Sequence, residues 1–226
     1  MCKLYVLSGA SGIGKSTLMF KLNNMGLCKI APKYSEREIR KGKDDIIHVD
    51  NIYEECLSCD IIYELYDTKY GINTFEIKSE LETNNLIVAI SDVDSLRRMR
   101  DSFKDKIVTI YISFSEDHID DLIEAYINRE EMEISFEVRE EFCRLAKLVI
   151  QAIKTQQNLD INEQYNKMRH LFSDSEKFED FVKRLESWVR PWGAYEKNKS
   201  LFDKTFKSNE SAFKFISEMI LYKTSN

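Results

Sequence analysis

Uninterrupted apolar runs alternate with segments of helical period through the first two thirds of the chain. Lys3-Leu4-Tyr5-Val6-Leu7-Ser8, Leu86-Ile87-Val88-Ala89-Ile90-Ser91 and Ile107-Val108-Thr109-Ile110-Tyr111-Ile112 lack the in-and-out alternation of half-exposed strands. They read as core strands of a sheet buried on both faces. Between the first run and the second, Ser16 to Leu22 has the pattern of a helix stopped by Gly26. After the third run, Ile119, Leu122, Ile123, Tyr126 and Ile127 fall on one helical face, and Val138, Phe142, Leu145 and Val149 fall on another. Strands alternating with helices in this way predict an α/β fold of three layers around a parallel sheet.

Two stretches interrupt the alternation. Residues 32–80 are polar with short apolar pieces such as Ile46-Ile47-His48-Val49, and read as an inserted subdomain for binding a second ligand. The polar stretch Asn128 to Glu133 lies where a mobile lid would be, within about 126–140. From about residue 157 the pattern becomes helical only: Ser173-x-x-Glu176 can form a capping box, and Phe178, Phe181, Val182, Leu185, Trp188 and Val189 form an apolar stripe closed by Pro191. A last helix carries Phe213, Ile216, Met219 and Ile220, and no Val/Ile-rich final strand follows the α/β helices. The expected organisation is an α/β domain over 1–156 and a helical extension over 157–226. The stripes of that extension serve either as packing faces or as a surface for a second copy or a partner protein.

Composition sets the outer limits. With 226 residues, 43% of them hydrophobic and 32% charged, the chain can bury a sizeable core. A net charge of -6 does not favour a nucleic-acid partner. No segment approaches the ~20 apolar residues that span a bilayer, and the N-terminus enters the first strand without a signal-peptide pattern, so a cytoplasmic protein without membrane partners is expected. The five cysteines are then expected as reduced thiols. Cys56-x-x-Cys59 reads as a structural or incidental pair, since the three histidines, His48, His118 and His170, add no ligand spacing.

The chemistry concentrates at Gly9-Ala10-Ser11-Gly12-Ile13-Gly14-Lys15-Ser16, which fits the pattern G-x-x-x-x-G-K-[ST] between a strand and a helix start. Gly9, Gly12 and Gly14 let the backbone curl so that N–H groups, including those near Ser11 and Thr17, converge on an anion at the helix N-terminus. Lys15 is placed to reach the terminal phosphates of a nucleotide, and the Ser16 hydroxyl to help hold a magnesium ion that bridges two of them.

This segment, followed by Arg37-Glu38-Ile39-Arg40-Lys41-Gly42, by Lys69-Tyr70-Gly71 and by Ile90-Ser91-Asp92-Val93-Asp94, resembles the guanylate kinases over roughly residues 3–150. The resemblance implies a P-loop kinase fold with ATP and Mg²⁺. It implies that Arg37, Arg40 and Tyr70 contact the phosphate of an acceptor nucleotide, and that Asp92 faces the substrate and the hydration shell of magnesium. It further implies that Arg139, which follows the lid, stabilises charge on the transferred phosphoryl group, with Arg129 a weaker match. The base-reading positions depart from the family: Lys33 stands where a hydroxyl reads guanine, Ile61 stands where a glutamate does, and Glu64 takes that place if the alignment shifts. Ile72 follows Gly71 where the family has Ser or Thr, and Ile39 replaces the proline between the two arginines.

Three expectations follow. The first is an ATP-dependent kinase of nucleoside monophosphates, most nearly of GMP or dGMP. The second is a kinase of a small phosphorylated sugar, similar to the ribose 1,5-bisphosphate phosphokinases. The third is a nucleotide-binding interaction module built on the same scaffold.

Overall fold

The computed structural model describes residues 1–39, 44–65, 67–113, 119–129, 134–155, 159–172 and 175–224. Two compact units emerge: Met1–Gly9 with Gly14–Ser113 and Asn198–Asn226, and Ala10–Ile13 with Phe114–Lys197.

The first unit is built on a sheet of β1 (Leu4–Gly9), β2 (Lys29–Ile30), β7 (Leu86–Ala89), β8 (Ile107–Ile112) and β9 (Lys204–Phe206), in the order β2-β7-β1-β8-β9. Every pairing in it is parallel. All six residues of β1 and all four of β7 are buried, as expected for strands covered on both faces. Flanking the sheet are α1 (Lys15–Asn24), α3 (Thr74–Glu80), α4 (Val93–Phe103) and α9 (Asn209–Thr224). Leu4, Val6, Leu86, Val88 and Ile90 share one core with Leu96 and Met99 of α4 and Ile77 of α3. The expected α/β fold around a parallel sheet is therefore present, with helices following it toward the C-terminus.

A second, four-stranded sheet lies in the polar insertion, with β3 (Tyr34–Ser35), β4 (Ile47–His48), β5 (Ile61–Leu65) and β6 (Thr68–Ile72) in the order β4-β3-β6-β5. Ile61 and Ile72 turn one of its faces into the main core, while Ile62 on the other packs with Ile52 of α2 (Ile52–Glu55).

Three sequence-based expectations need correction. The C-terminal region is not purely helical, because β9 extends the main sheet. Lys204-Thr205-Phe206 has no apolar run to announce it, and Lys204 and Thr205 are exposed. Its place is fixed by polar anchors instead: Asp203 accepts from Thr109 N–H at 2.8 Å and from Arg100 Nη1 at 3.1 Å, and the Thr109 hydroxyl lies 2.9 Å from the same carboxylate. Pro191 does not close its helix, for α8 (Ser175–Lys197) runs through it. A proline supplies a helical φ and removes one hydrogen bond of the ladder, a local loss inside a helix of 23 residues. Cys56 and Cys59 are joined as a disulfide, with Cα atoms 5.4 Å apart. The turn that ends α2 brings them together, with Cys59 N–H donating to the Cys56 carbonyl at 3.0 Å. Cys2, Cys28 and Cys143 are free thiols, and burial pushes that of Cys28 up to about 12.

The second unit packs α5 (Ile119–Arg129), α6 (Phe136–Thr155), α7 (Ile161–Met168) and α8 around a core of Ile119, Ile123, Ile127, Val138, Phe142, Leu145 and Val149, the residues whose helical spacing marks them in the sequence. Tyr165, Met168 and Phe178 complete it. Ser173 and the side chains of Tyr126, Phe181, Leu185, Trp188 and Val189 lie outside the described residues. Among the described residues no helix is long and apolar enough to cross a membrane.

Candidate functional site

The carboxyl ends of neighbouring parallel strands gather the functional groups of the first unit, the usual place for a ligand in an open α/β sheet. β1 ends in Gly9 and the chain returns as α1, whose N-cap Gly14 has φ +83°. Gly14 brings no side chain to cap the helix, and the first turn carries no carboxylate. The opening N–H groups at Ser16 and Thr17 therefore have no intrahelical acceptor and add to the positive end of the helix dipole. Gly12, at φ +82°, bends the loop, and Ile13 N–H closes it onto the Ala10 carbonyl at 3.5 Å. Lys15 folds back so that Nζ donates to the Gly9 carbonyl at 2.9 Å, which holds the ammonium over the loop. Glycines, helix N-terminus, lysine and the adjacent Ser16 hydroxyl suit a polyphosphate and its magnesium ion.

β7 lies beside β1. Ser8 Oγ donates to the Ile90 carbonyl at 2.8 Å, and Ile90 N–H donates to the Leu7 carbonyl at 3.0 Å. Asp92 follows as the N-cap of α4, with one carboxylate oxygen accepting from Ser95 N–H at 2.6 Å. Asp92 thus stands at the carboxyl end of the strand next to the phosphate loop, held in place by its capping bond.

The acceptor subdomain brings some predicted residues together and separates others. Arg37 and Tyr70 are neighbours: β3 pairs with β6 so that Ser35 lies opposite Tyr70, and Arg37 N–H donates to Ser35 Oγ at 3.1 Å. Arg37 Nη2 donates to Asp44 Oδ1 at 2.7 Å and Nη1 to the Glu38 carbonyl at 2.9 Å. Burial works against the guanidinium charge, but the hydrogen bond and charge of Asp44 outweigh it and its pKa is raised. Tyr70 faces Tyr63 across the β5–β6 pair with rings stacked at 5.2 Å. Glu64 lies opposite Lys69 in the same register, so it points to the other face of the sheet, where the Lys69 ammonium sits 4.9 Å from the Tyr53 ring of α2. Arg40 lies outside the described residues.

Lys33 is buried, and its Nζ donates to Asp45 Oδ2 at 2.7 Å and to the Ala89 carbonyl at 3.1 Å. Burial alone would raise the Asp45 pKa, and the Lys33 charge overcomes this and lowers it. Ile61 is buried in the main core. Two positions that would read guanine in the resemblance are thus an internal ion pair and a core side chain.

Arg139 belongs to the second unit, where α6 places it against Glu124 of α5 in an ion pair. Arg129 ends α5, and its side chain lies outside the described residues.

Sequence reasoning misses Asn209. It opens α9 directly after β9, and its side chain meets Gly14: a Cβ built there would stand 2.4 Å from Asn209 Nδ2. Its one sequence signal is a polar helix start after a short strand. It also misses Asp44 and Asp45, an adjacent acidic pair that returns to a partly buried cation, Arg37, and a buried one, Lys33, of the same subdomain.

No protein-family model matches the chain, and no curated protein matches it in sequence. Among solved structures, a guanylate kinase from Anaplasma phagocytophilum is similar over 98% of this chain and 86% of its own, with a TM-score of 0.54 and 13% identity. A full-length tRNA isopentenylpyrophosphate transferase from Bacillus halodurans aligns over 100% of this chain and 99% of its own, with a TM-score of 0.47 and 10% identity. At such identity the first likeness concerns the fold alone: the chain has the α/β architecture of a P-loop kinase, with a helical C-terminal region.

Proposed function

We propose that this protein is a phosphotransferase that moves the γ-phosphoryl group of ATP onto the phosphate of a small acceptor, in the first instance a nucleoside monophosphate. The observation that carries this reading is the loop from Gly9 to Ser16, with left-handed Gly12 and Gly14, an uncapped helix start and the Lys15 ammonium folded over it. A module needing only the scaffold would have no use for Lys15 and Ser16 in this arrangement.

In this mechanism the loop amides and the α1 N-terminus cradle the phosphates of the donor, and Lys15 neutralises charge on the oxygens of the group being transferred. Ser16 and Asp92 would supply oxygens suited to a hydrated magnesium ion, which when bound would contribute neutralisation of phosphate charge. Arg37 and Tyr70 hold the acceptor phosphate in line with the donor, so that positioning and electrostatics provide most of the rate. The resemblance to the guanylate kinases assigns Arg139 and Arg129, of the second unit, the role of lid arginines.

A second reading, an acceptor that is a phosphorylated sugar, is favoured by one feature. Lys33, Ile61 and Glu64 leave the predicted guanine-reading positions without a group aimed at a base.

Arg37→Ala tests the acceptor site. It should raise the acceptor KM on the order of 10- to 100-fold, as expected from losing a charged hydrogen bond of about 1.5–3 kcal/mol, with the KM for ATP nearly unchanged. Equal effects on both would contradict the assignment.

A further inference from the structure

We infer that Asp44 is an intramolecular stand-in for the acceptor phosphate, which incoming acceptor must displace from Arg37, so that the site selects acceptors with a doubly charged phosphate. The inference rests on the acceptor-site reading of Arg37 given above.

Asp44 holds Arg37 Nη2 at 2.7 Å, and the Asp44 side chain is 4% exposed. Its carboxylate is placed independently of the arginine. Asp44 Oδ1 also accepts from Asp45 N–H at 2.8 Å, and Asp45 is tied by Lys33 to the Ala89 carbonyl at the end of β7. The Lys33–Asp45 pair therefore fixes the backbone that presents Asp44, while Ser35 Oγ fixes the backbone that presents Arg37. Nη1 donates to the Glu38 carbonyl and Nη2 to Asp44, so a phosphate that takes the Nη1/Nη2 edge of the guanidinium competes with the Asp44 carboxylate for Nη2.

A carboxylate has one negative charge and a phosphate monoester close to two at neutral pH. Exchange at Arg37 therefore favours the dianion, whereas neutral or singly charged ligands gain too little to displace Asp44. The same contact lowers the affinity of the site for every phosphate, since a second anion beside the ligand is repelled.

Binding of inorganic phosphate to the Lys15→Ala protein, in which the phosphate loop is weakened, isolates the acceptor site. In that background Asp44→Asn should tighten phosphate binding roughly tenfold, the gain expected from removing one close like charge worth about 1.4 kcal/mol. Asp44→Glu should restore weak binding, and Arg37→Ala should erase the gain. Asp44→Ser carries the same expectation as Asn, and thermal melting checks that each variant is folded. Unchanged or weaker phosphate binding in folded Asp44→Asn and Asp44→Ser proteins would overturn the inference and leave Asp44 as a residue that orients Arg37. In that case the acceptor-site reading survives if Arg37→Ala weakens phosphate binding in the Asp44 protein. If Arg37→Ala changes phosphate binding in neither protein, both fall.

Discussion

Gly14 and Asn209 approach so closely that a Cβ at position 14 would force the Asn209 side chain to move. A Cβ there would lie 2.4 Å from Asn209 Nδ2, and the backbone at Gly14 has φ +83°. The helix that follows β9 thereby braces the turn from which α1 starts. Gly14→Ala should cost about 1–2 kcal/mol from the left-handed backbone alone, with more from the clash, and should abolish nucleotide binding. A thermal melt beside a nucleotide titration checks both. Gly14→Ala/Asn209→Ala should regain part of the stability, because the clash is relieved and the backbone strain remains.

Lys33 and Asp45 form a buried pair whose disruption should be severe. Lys33→Met leaves an uncompensated buried carboxylate and should cost about 3–5 kcal/mol at pH 7. The Asp45 carboxyl is held below its ordinary value of about 3.9. Its contribution is therefore fully present above that value and is lost as pH falls through the lower, folded one. In the variant Asp45 loses its cation and takes up a proton more readily. Denaturant midpoints of both proteins from pH 7 to pH 3 should show the largest difference at pH 7 and a gap that begins to narrow above the ordinary carboxylate value, where the variant's Asp45 takes up its proton, and goes on narrowing as pH falls.

Thr109 joins β8 to β9 by more than the sheet ladder. Its hydroxyl lies 2.8 Å from the Leu201 carbonyl and accepts from Arg100 Nη1 at 2.6 Å and from Asp203 N–H at 3.1 Å. Thr109→Val keeps the shape and removes these bonds, so it should destabilise the protein by about 1–3 kcal/mol. Hydrogen exchange at Ser113 N–H, which donates to the Phe206 carbonyl, should quicken in step. Deletion of 198–226 should be worse, because it uncovers β8 along one edge and removes the Phe202 ring that packs 5.2 Å from Tyr111. A soluble, folded truncation would show that β9 is dispensable.

The legible parts of this fold are those written in local pattern. β1, β7 and β8 are runs of apolar residues because they are covered on both faces, and α5 and α6 carry their core positions at helical spacing. The phosphate loop is legible because its chemistry needs particular residues at particular intervals. What escapes the pattern depends on partners distant in sequence. β9 is held by Arg100 and Thr109, 103 and 94 residues from Asp203, and its own residues carry no apolar signal. Asp44 and Asp45 read as part of a solvated loop until the fold returns them to Arg37 and Lys33. Glu64 looks like a substitute base reader by count, yet a strand alternates its faces, and Tyr63 rather than Glu64 shares the face of Tyr70. The Cys56–Cys59 bond is another such case, since four residues of sequence do not reveal whether the turn at the end of α2 closes the pair.

The central claim is that Lys15 and its loop drive phosphoryl transfer from ATP to a phosphorylated acceptor. ATP consumption with Mg²⁺, measured against GMP, dGMP, AMP, UMP, CMP and ribose 1,5-bisphosphate for the unaltered protein and for Lys15→Ala, tests it most directly. The account predicts acceptor-dependent turnover with at least one of these compounds, lost on the order of 10³-fold or more in a Lys15→Ala protein that melts like the original. Undiminished turnover in Lys15→Ala, or no acceptor-dependent turnover in the unaltered protein with any of the six compounds, would contradict it.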